Sequence, residues 1–126
     1  MKRIATILIF AVALAHLGFM LLEMVFWNHP IGHKVFSLTA EQAEQTVVLA
    51  MNQGLYNGFL AVGLIWGWLT RHDAVVILFL IFVIVAGIFG SATASITILY
   101  TQGAPALLAL MAVLWVRHKN ISISED

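Results

Sequence analysis

Cysteine is absent from the 126 residues, which excludes disulfides, thiolate zinc sites and cysteine-ligated clusters within one chain. Charge is scarce as well. Lys and Arg number 6, Asp and Glu 6, and charged residues make up 10% of the chain, against roughly 25% in soluble domains. The resulting net charge of zero argues against a nucleic-acid partner. Of the two prolines, Pro30 follows Asn28-His29 and Pro105 suits the first turn of the last apolar helix.

What is present is apolar. Hydrophobic residues are 62% of the sequence and the mean hydropathy is +1.00. A soluble domain of this length has no core large enough to hide so much apolar surface, so the excess faces lipid. Met1-Lys2-Arg3 followed by an apolar run has the outline of a signal peptide. The run from Ile4 to Trp27 exceeds a signal core of about 7 to 15 residues and no small-residue cleavage site closes it, so a retained first span is expected.

Helices of roughly 20 residues cross the hydrocarbon, and stretches of about 4–26, 47–69, 74–94 and 98–116 meet that length or approach it. The fourth does so only by beginning before Gln102 or by sitting in a thinner region of the bilayer. The expected fold is all-α, a polytopic four-transmembrane-helix bundle in a single domain 1–126, with an external loop 28–46. An N-terminus inside puts Lys2, Arg3, Arg71, Arg117 and Lys119 on the cytoplasmic side and leaves Lys34 outside, so both termini are expected to be cytoplasmic. Arg71-His72-Asp73 then forms a tight inner turn with Asp73 as N-cap of the following helix. Trp66, Trp68 and Trp115 fall at the inner interface and Trp27 at the outer one, as an aromatic belt requires.

Within the external loop Asn28-His29-Pro30 marks a helix stop. Thr39-Ala40-Glu41-Gln42 has capping-box spacing. A continuous helix from there to Leu69 would run about 45 Å, a length that a bend near Gly54 or a separate surface helix would relieve. Small residues recur at four-residue spacing in Gly54/Gly58, Gly63/Gly67, Ala86/Gly90/Ala94 and Gly87/Ser91/Ser95. Such stripes serve close helix packing within the chain first, and a homo-oligomer seam second.

Polar side chains inside these spans are the candidates for chemistry. His16 and Glu23, seven residues apart, share one face of the first helix. On the second, Asn52 and Tyr56 form one ridge and Gln53 and Asn57 its neighbour. Antiparallel packing brings the two stripes together, with Asn52 and Gln53 at the depth of Glu23 and Tyr56 and Asn57 approaching that of His16. Gln102, at the head of the fourth helix beside Pro105, adds a wall, and Trp27 is a belt residue or a substrate platform. The expectation is a polar pocket in the outer half of the bundle, with Glu23 and His16 as catalytic candidates. Asn52, Gln53, Tyr56, Asn57, Trp27 and Gln102 are the binding candidates. No metal site is expected: Pro30 and Gly32 break the helix that would align His29 with His33. No cofactor is expected either, since no second axial ligand stands at the depth of His16 for a haem. Asn120-Ile121-Ser122 fits a glycosylation sequon, silent on the cytoplasmic side, and Glu125-Asp126 reads as a solvated tail.

Three stretches carry a resemblance: Ala15-His16-Leu17-Gly18-Phe19-Met20-Leu21-Leu22-Glu23-Met24 with Trp27, then Asn52-Gln53-Gly54-Leu55-Tyr56-Asn57-Gly58-Phe59-Leu60-Ala61, then Gln102 and Pro105. Together they resemble the small bacterial integral-membrane proteins catalogued as domain of unknown function 1304. The resemblance covers nearly the whole chain and implies a four-helix protein of the bacterial inner membrane. It brings no activity with it.

The residues themselves support three functional readings. The leading one is a site that binds a lipophilic small molecule and transforms it by acid/base chemistry, as a metal-independent isomerase or hydratase would. The second is a small proton-coupled exporter built on Glu23. The third is a structural or accessory membrane subunit whose polar stripes only specify helix pairing. Expected partners are membrane lipids, the lipophilic small molecule and a second copy of the chain.

Overall fold

The structure, a computed structural model, describes residues 3–124. Lys2 and the Glu125-Asp126 tail, to which the sequence assigned roles, lie outside the described residues. The described chain is all-α: α1 (Arg3–Met24), α2 (Pro30–Phe36), α3 (Ala40–Leu69), α4 (Asp73–Thr93), a π-helical turn (Leu99–Gly103) and α5 (Ala104–Ser124). Four helices are long and apolar enough to cross a membrane: α1, α3, α4 and the continuous run Leu99–Ser122. The fourth span thus begins before Gln102, as its length demands.

Local sequence explains most helix ends. α1 stops at Met24, short of Asn28-His29-Pro30. That triplet starts the next helix instead: Pro30 occupies the first turn of α2, where its missing N–H costs nothing, and His29 Nδ1 accepts from the Ile31 N–H at 3.2 Å. Pro30 and Gly32 therefore do not break a helix as the sequence reading expected, because proline at a first turn promotes one. Gly32 is required by proximity, since a Cβ there would meet the Phe26 and Trp27 carbonyl oxygens.

α3 opens on a complete capping box. Thr39 Oγ1 accepts from the Gln42 N–H at 3.1 Å, and Gln42 Oε1 accepts from the Thr39 N–H at 2.9 Å. From there α3 is one helix of 30 residues, about 45 Å long. Gly54 does not interrupt it, because the glycine is buried against Met20, Glu23 and Met24 of α1 and its lack of a side chain is used for contact.

α3 ends in a Schellman motif. The His72 N–H bonds the Gly67 carbonyl at 2.9 Å and the Arg71 N–H bonds the Trp68 carbonyl at 3.2 Å. The left-handed residue of this motif, usually glycine, is Arg71 with φ 56°. The reversal moves the helix boundary by one residue from the expected cap: His72 is the N-cap of α4, its ring turned to the Thr70 carbonyl at 2.8 Å rather than capping the helix, and Asp73 is the first helical residue. There its carboxylate still complements the positive end of the helix dipole.

Before α5 the helix widens. The Ala104 N–H bonds the Leu99 carbonyl, five residues back. The widening precedes Pro105, whose ring clashes with the carbonyl four residues back and has no N–H to offer it.

The chain divides into two compact units, one of residues 3–13 with 62–124 and one of residues 14–61. In the first, Val76, Leu80, Val83 and Gly87 form one buried face of α4. Ala106, Ala109, Val113 and Val116 of α5 and Ala5, Ile9 and Val12 of α1 are buried at helical spacing too. A Cβ on Gly87 would lie 2.9 Å from the Gly103 Cα and N, so α4 meets the π turn backbone to backbone. Gly63 packs on Phe79, Gly67 on Val75 and Val76, and Gly90 on Ile98. In the second unit Gly54 and Gly58 receive Met20 and Met24. These glycines are thus used by packing within the chain.

Candidate functional site

The second unit contains the polar centre. As α3 advances from Gly54 to Gly58, its contacts on α1 retreat from Met24 and Glu23 to Met20, the signature of antiparallel neighbours. Side chains on a helix lean toward its N-terminus. In an antiparallel pair the two sets lean toward each other, and Glu23 of α1 meets Asn57 of α3. The Asn57 Nδ2–H donates to Glu23 Oε2 at 2.7 Å, a short hydrogen bond, and both residues are partly buried. The two glycines make this approach available by letting the backbones come close around Met20.

The other candidates are distributed around this bond. His16 is 1% exposed, its ring edge-on to Phe19 with centroids 5.7 Å apart. It lies two helical turns from Glu23, or about 10.5 Å of axial rise, so a proton passing between the two needs a molecule in between. Asn52, Gln53 and Tyr56 are exposed, Tyr56 by 55%. Tyr56 stacks edge-on with Phe59 at 5.9 Å. Trp27 is held rather than free: its indole N–H donates to Thr46 Oγ1 at 3.1 Å, and its ring lies 4.7 Å from that of Phe36. Thr46 in turn donates to the Gln42 carbonyl at 2.7 Å. Gln102, partly buried in the π turn, belongs to the other unit.

Among the described residues no three His, Cys, Asp or Glu side chains gather as a ligand set. His33, one turn beyond His29 on α2, has a buried Nε2 without a hydrogen-bond partner.

Two cavities lie in the first unit, and neither is lined by Glu23, Asn57 or His16. The larger, about 590 Å³, is walled by Thr6, Trp68, Arg71, Asp73, Val116 and Asn120. The smaller, about 160 Å³, is apolar and shares Val116 with it. At this end the residue pattern gave a tight turn and an aromatic belt but no cavity. The available signal was the absence of glycine after Leu69, where a tight turn between two long helices would ordinarily use one.

Four apolar helices of spanning length, with a hydrogen-bonded carboxyl and amide joining α1 to α3, define a multi-pass all-α membrane protein of the four-helix bundle class. Residues 10–114 match the family described as "Protein of unknown function (DUF1304)", and the chain belongs to that family. It is similar to "Uncharacterized protein YpaA" of Lactococcus lactis subsp. lactis (strain IL1403), with 34% identity over 116 residues covering 89% of this chain and 98% of that protein. No solved structure matches.

Proposed function

We propose that this protein binds a lipophilic small molecule at the Glu23–Asn57 pair in the bacterial cytoplasmic membrane, and that Glu23 serves the bound molecule as an acid/base group. The observation that supports this reading is the 2.7 Å hydrogen bond from the Asn57 amide to the Glu23 carboxyl, inside two helices of membrane-spanning length. A carboxyl placed in lipid is costly, and one donor satisfies only part of its bonding capacity. The remaining capacity is what a substrate hydroxyl or carbonyl would use.

Asn57 fixes the carboxyl, while Asn52, Gln53 and Tyr56, exposed on the same helix, offer a polar group arriving through the bilayer its first hydrogen bonds. In this reading His16 acts only through the bound molecule. A metal-independent isomerisation or hydration fits a site composed of one titratable group and neutral amides.

The exporter reading uses the same carboxyl, exchanging its proton for cargo, and the exposed Asn52, Gln53 and Tyr56 favour it where a second copy covers them.

Mass spectrometry of small molecules co-purifying with the protein tests the proposal. A specific compound is expected with the wild type and lost with Glu23→Gln or Asn57→Ala. Identical spectra for all three proteins would reject binding at this pair. Proton-driven uptake in vesicles that Glu23→Gln abolishes would instead identify the exporter.

A further inference from the structure

The first unit carries a polar cavity independent of Glu23, at the helix ends where α3 turns into α4. Its volume of about 590 Å³ lies within the roughly 300–1,000 Å³ usual for small-molecule sites. Among the described residues its wall holds one cation, Arg71, one anion, Asp73, and one amide, Asn120. Trp68 forms a fixed side of it, since its indole N–H donates to Thr6 Oγ1 at 3.2 Å and its ring packs edge-on against Phe10 with centroids 4.9 Å apart.

A second observation singles out Arg71. It occupies the left-handed position of the Schellman turn, φ 56°, where glycine is unstrained and a residue with a Cβ is not. Backbone strain retained at a cavity wall points to a side chain kept for what it binds.

An apolar groove adjoins the cavity. Val116 is shared with the groove lined by Ile4, Ala5, Ala112 and Trp115, and Thr6 of the polar wall follows Ala5 directly on α1. A charged chamber beside a greasy groove at the end of membrane-spanning helices has the form of an amphiphile, with a place for the head and a place for the chain.

We propose that this end of the protein holds a phospholipid whose headgroup carries both a phosphate and a primary ammonium. The Arg71 guanidinium takes the phosphate, for which its planar fork of donors is suited. The Asp73 carboxylate and the Asn120 carbonyl accept from the ammonium, and one acyl chain follows the groove beside Trp115. A quaternary ammonium has no N–H to donate and a glycerol headgroup has no positive charge for Asp73. The site therefore discriminates among phospholipids that share the same tails.

The test is native mass spectrometry of protein released from vesicles of equal parts phosphatidylethanolamine, phosphatidylcholine and phosphatidylglycerol. Wild type is expected to retain phosphatidylethanolamine several-fold over the other two. Asp73→Asn should lower that retention to the level of phosphatidylcholine. Arg71→Gly should lose retention of all three, with a melting temperature unchanged or raised, because glycine relieves the left-handed strain. Equal retention of the three lipids by wild type, or a preference that neither variant alters, would overturn the proposal. So would lost retention in Arg71→Gly accompanied by a lower melting temperature, which would make Arg71 a structural residue. Equally strong binding of water-soluble phosphoethanolamine would overturn the assignment to a lipid.

Discussion

Asn57 donates its side-chain amide to the carboxyl of Glu23, 34 residues earlier in the chain, at 2.7 Å. Around the bond the two helices meet through Gly54, Gly58, Met20 and Met24. It is the point where helix packing and candidate chemistry coincide. Removing one partner and removing both have different physical consequences.

Asn57→Ala should cost about 1–3 kcal/mol of stability, because it leaves the Glu23 carboxyl without its donor. Glu23→Gln keeps an acceptor oxygen and should be nearly neutral. The double variant Glu23→Leu/Asn57→Leu should recover part of the loss, since neither polar group is then stranded. Reversible unfolding in mixed detergent micelles measures all three. A double variant no more stable than Asn57→Ala would show that the carboxyl is not stranded by the loss of its donor.

Gly87→Ala and Gly18→Ala should have opposite signs. Both gain up to about 1 kcal/mol of helix propensity. A Cβ at Gly87 meets Gly103 backbone atoms at 2.9 Å, which cannot move aside as a side chain would. Overpacking of that kind costs about 1–3 kcal/mol and should win. At Gly18 a Cβ meets nothing within 4 Å, so the propensity gain should stand alone. The same unfolding assay decides it, and equal effects at the two positions would contradict the contact between α4 and the π turn.

Thr46→Val removes the acceptor of the Trp27 indole N–H while keeping the side-chain shape. The expected loss is about 1 kcal/mol. A shift in Trp27 emission, measured in a variant in which Trp66, Trp68 and Trp115 are phenylalanine, reports the change locally. Unchanged emission would mean that the indole makes no such bond.

Thr39→Ala should cost about 1 kcal/mol at the start of α3. The loss should show as faster amide exchange at residues 41 to 43, whose N–H groups sit in the first turn. Gln42→Ala should be milder, since it frees only the Thr39 N–H. Exchange unchanged in both variants would rule out the capping box as the device that starts the helix.

Legibility followed the range of the interaction. The capping box at Thr39 and Gln42 could be read directly, because its two bonds lie within three residues. Glu23 stood out as costly in lipid from composition alone. Its partner was harder to identify: matching depths by residue count favoured Asn52 and Gln53, whereas the lean of side chains on antiparallel helices brings Asn57 to the carboxyl. At the other end, Asp73 was read as a cap because the left-handed turn at Arg71, which moves the boundary to His72, leaves no mark in a residue pattern when the residue is not glycine.

The sequence by itself determined the solvent and the architecture. Apolar runs of membrane-spanning length must satisfy every backbone group internally, and helices are the form in which a single unpaired run does so. Tertiary structure alone decided which polar groups meet. Glu23 joins Asn57, Trp27 joins Thr46, and Trp68 joins Thr6 across separations of 34, 19 and 62 residues. Such pairings depend on helix rotation and close backbone approach, which are set by where Gly54, Gly58, Gly87 and Gly103 allow contact, and a linear pattern of apolar and polar residues fixes neither.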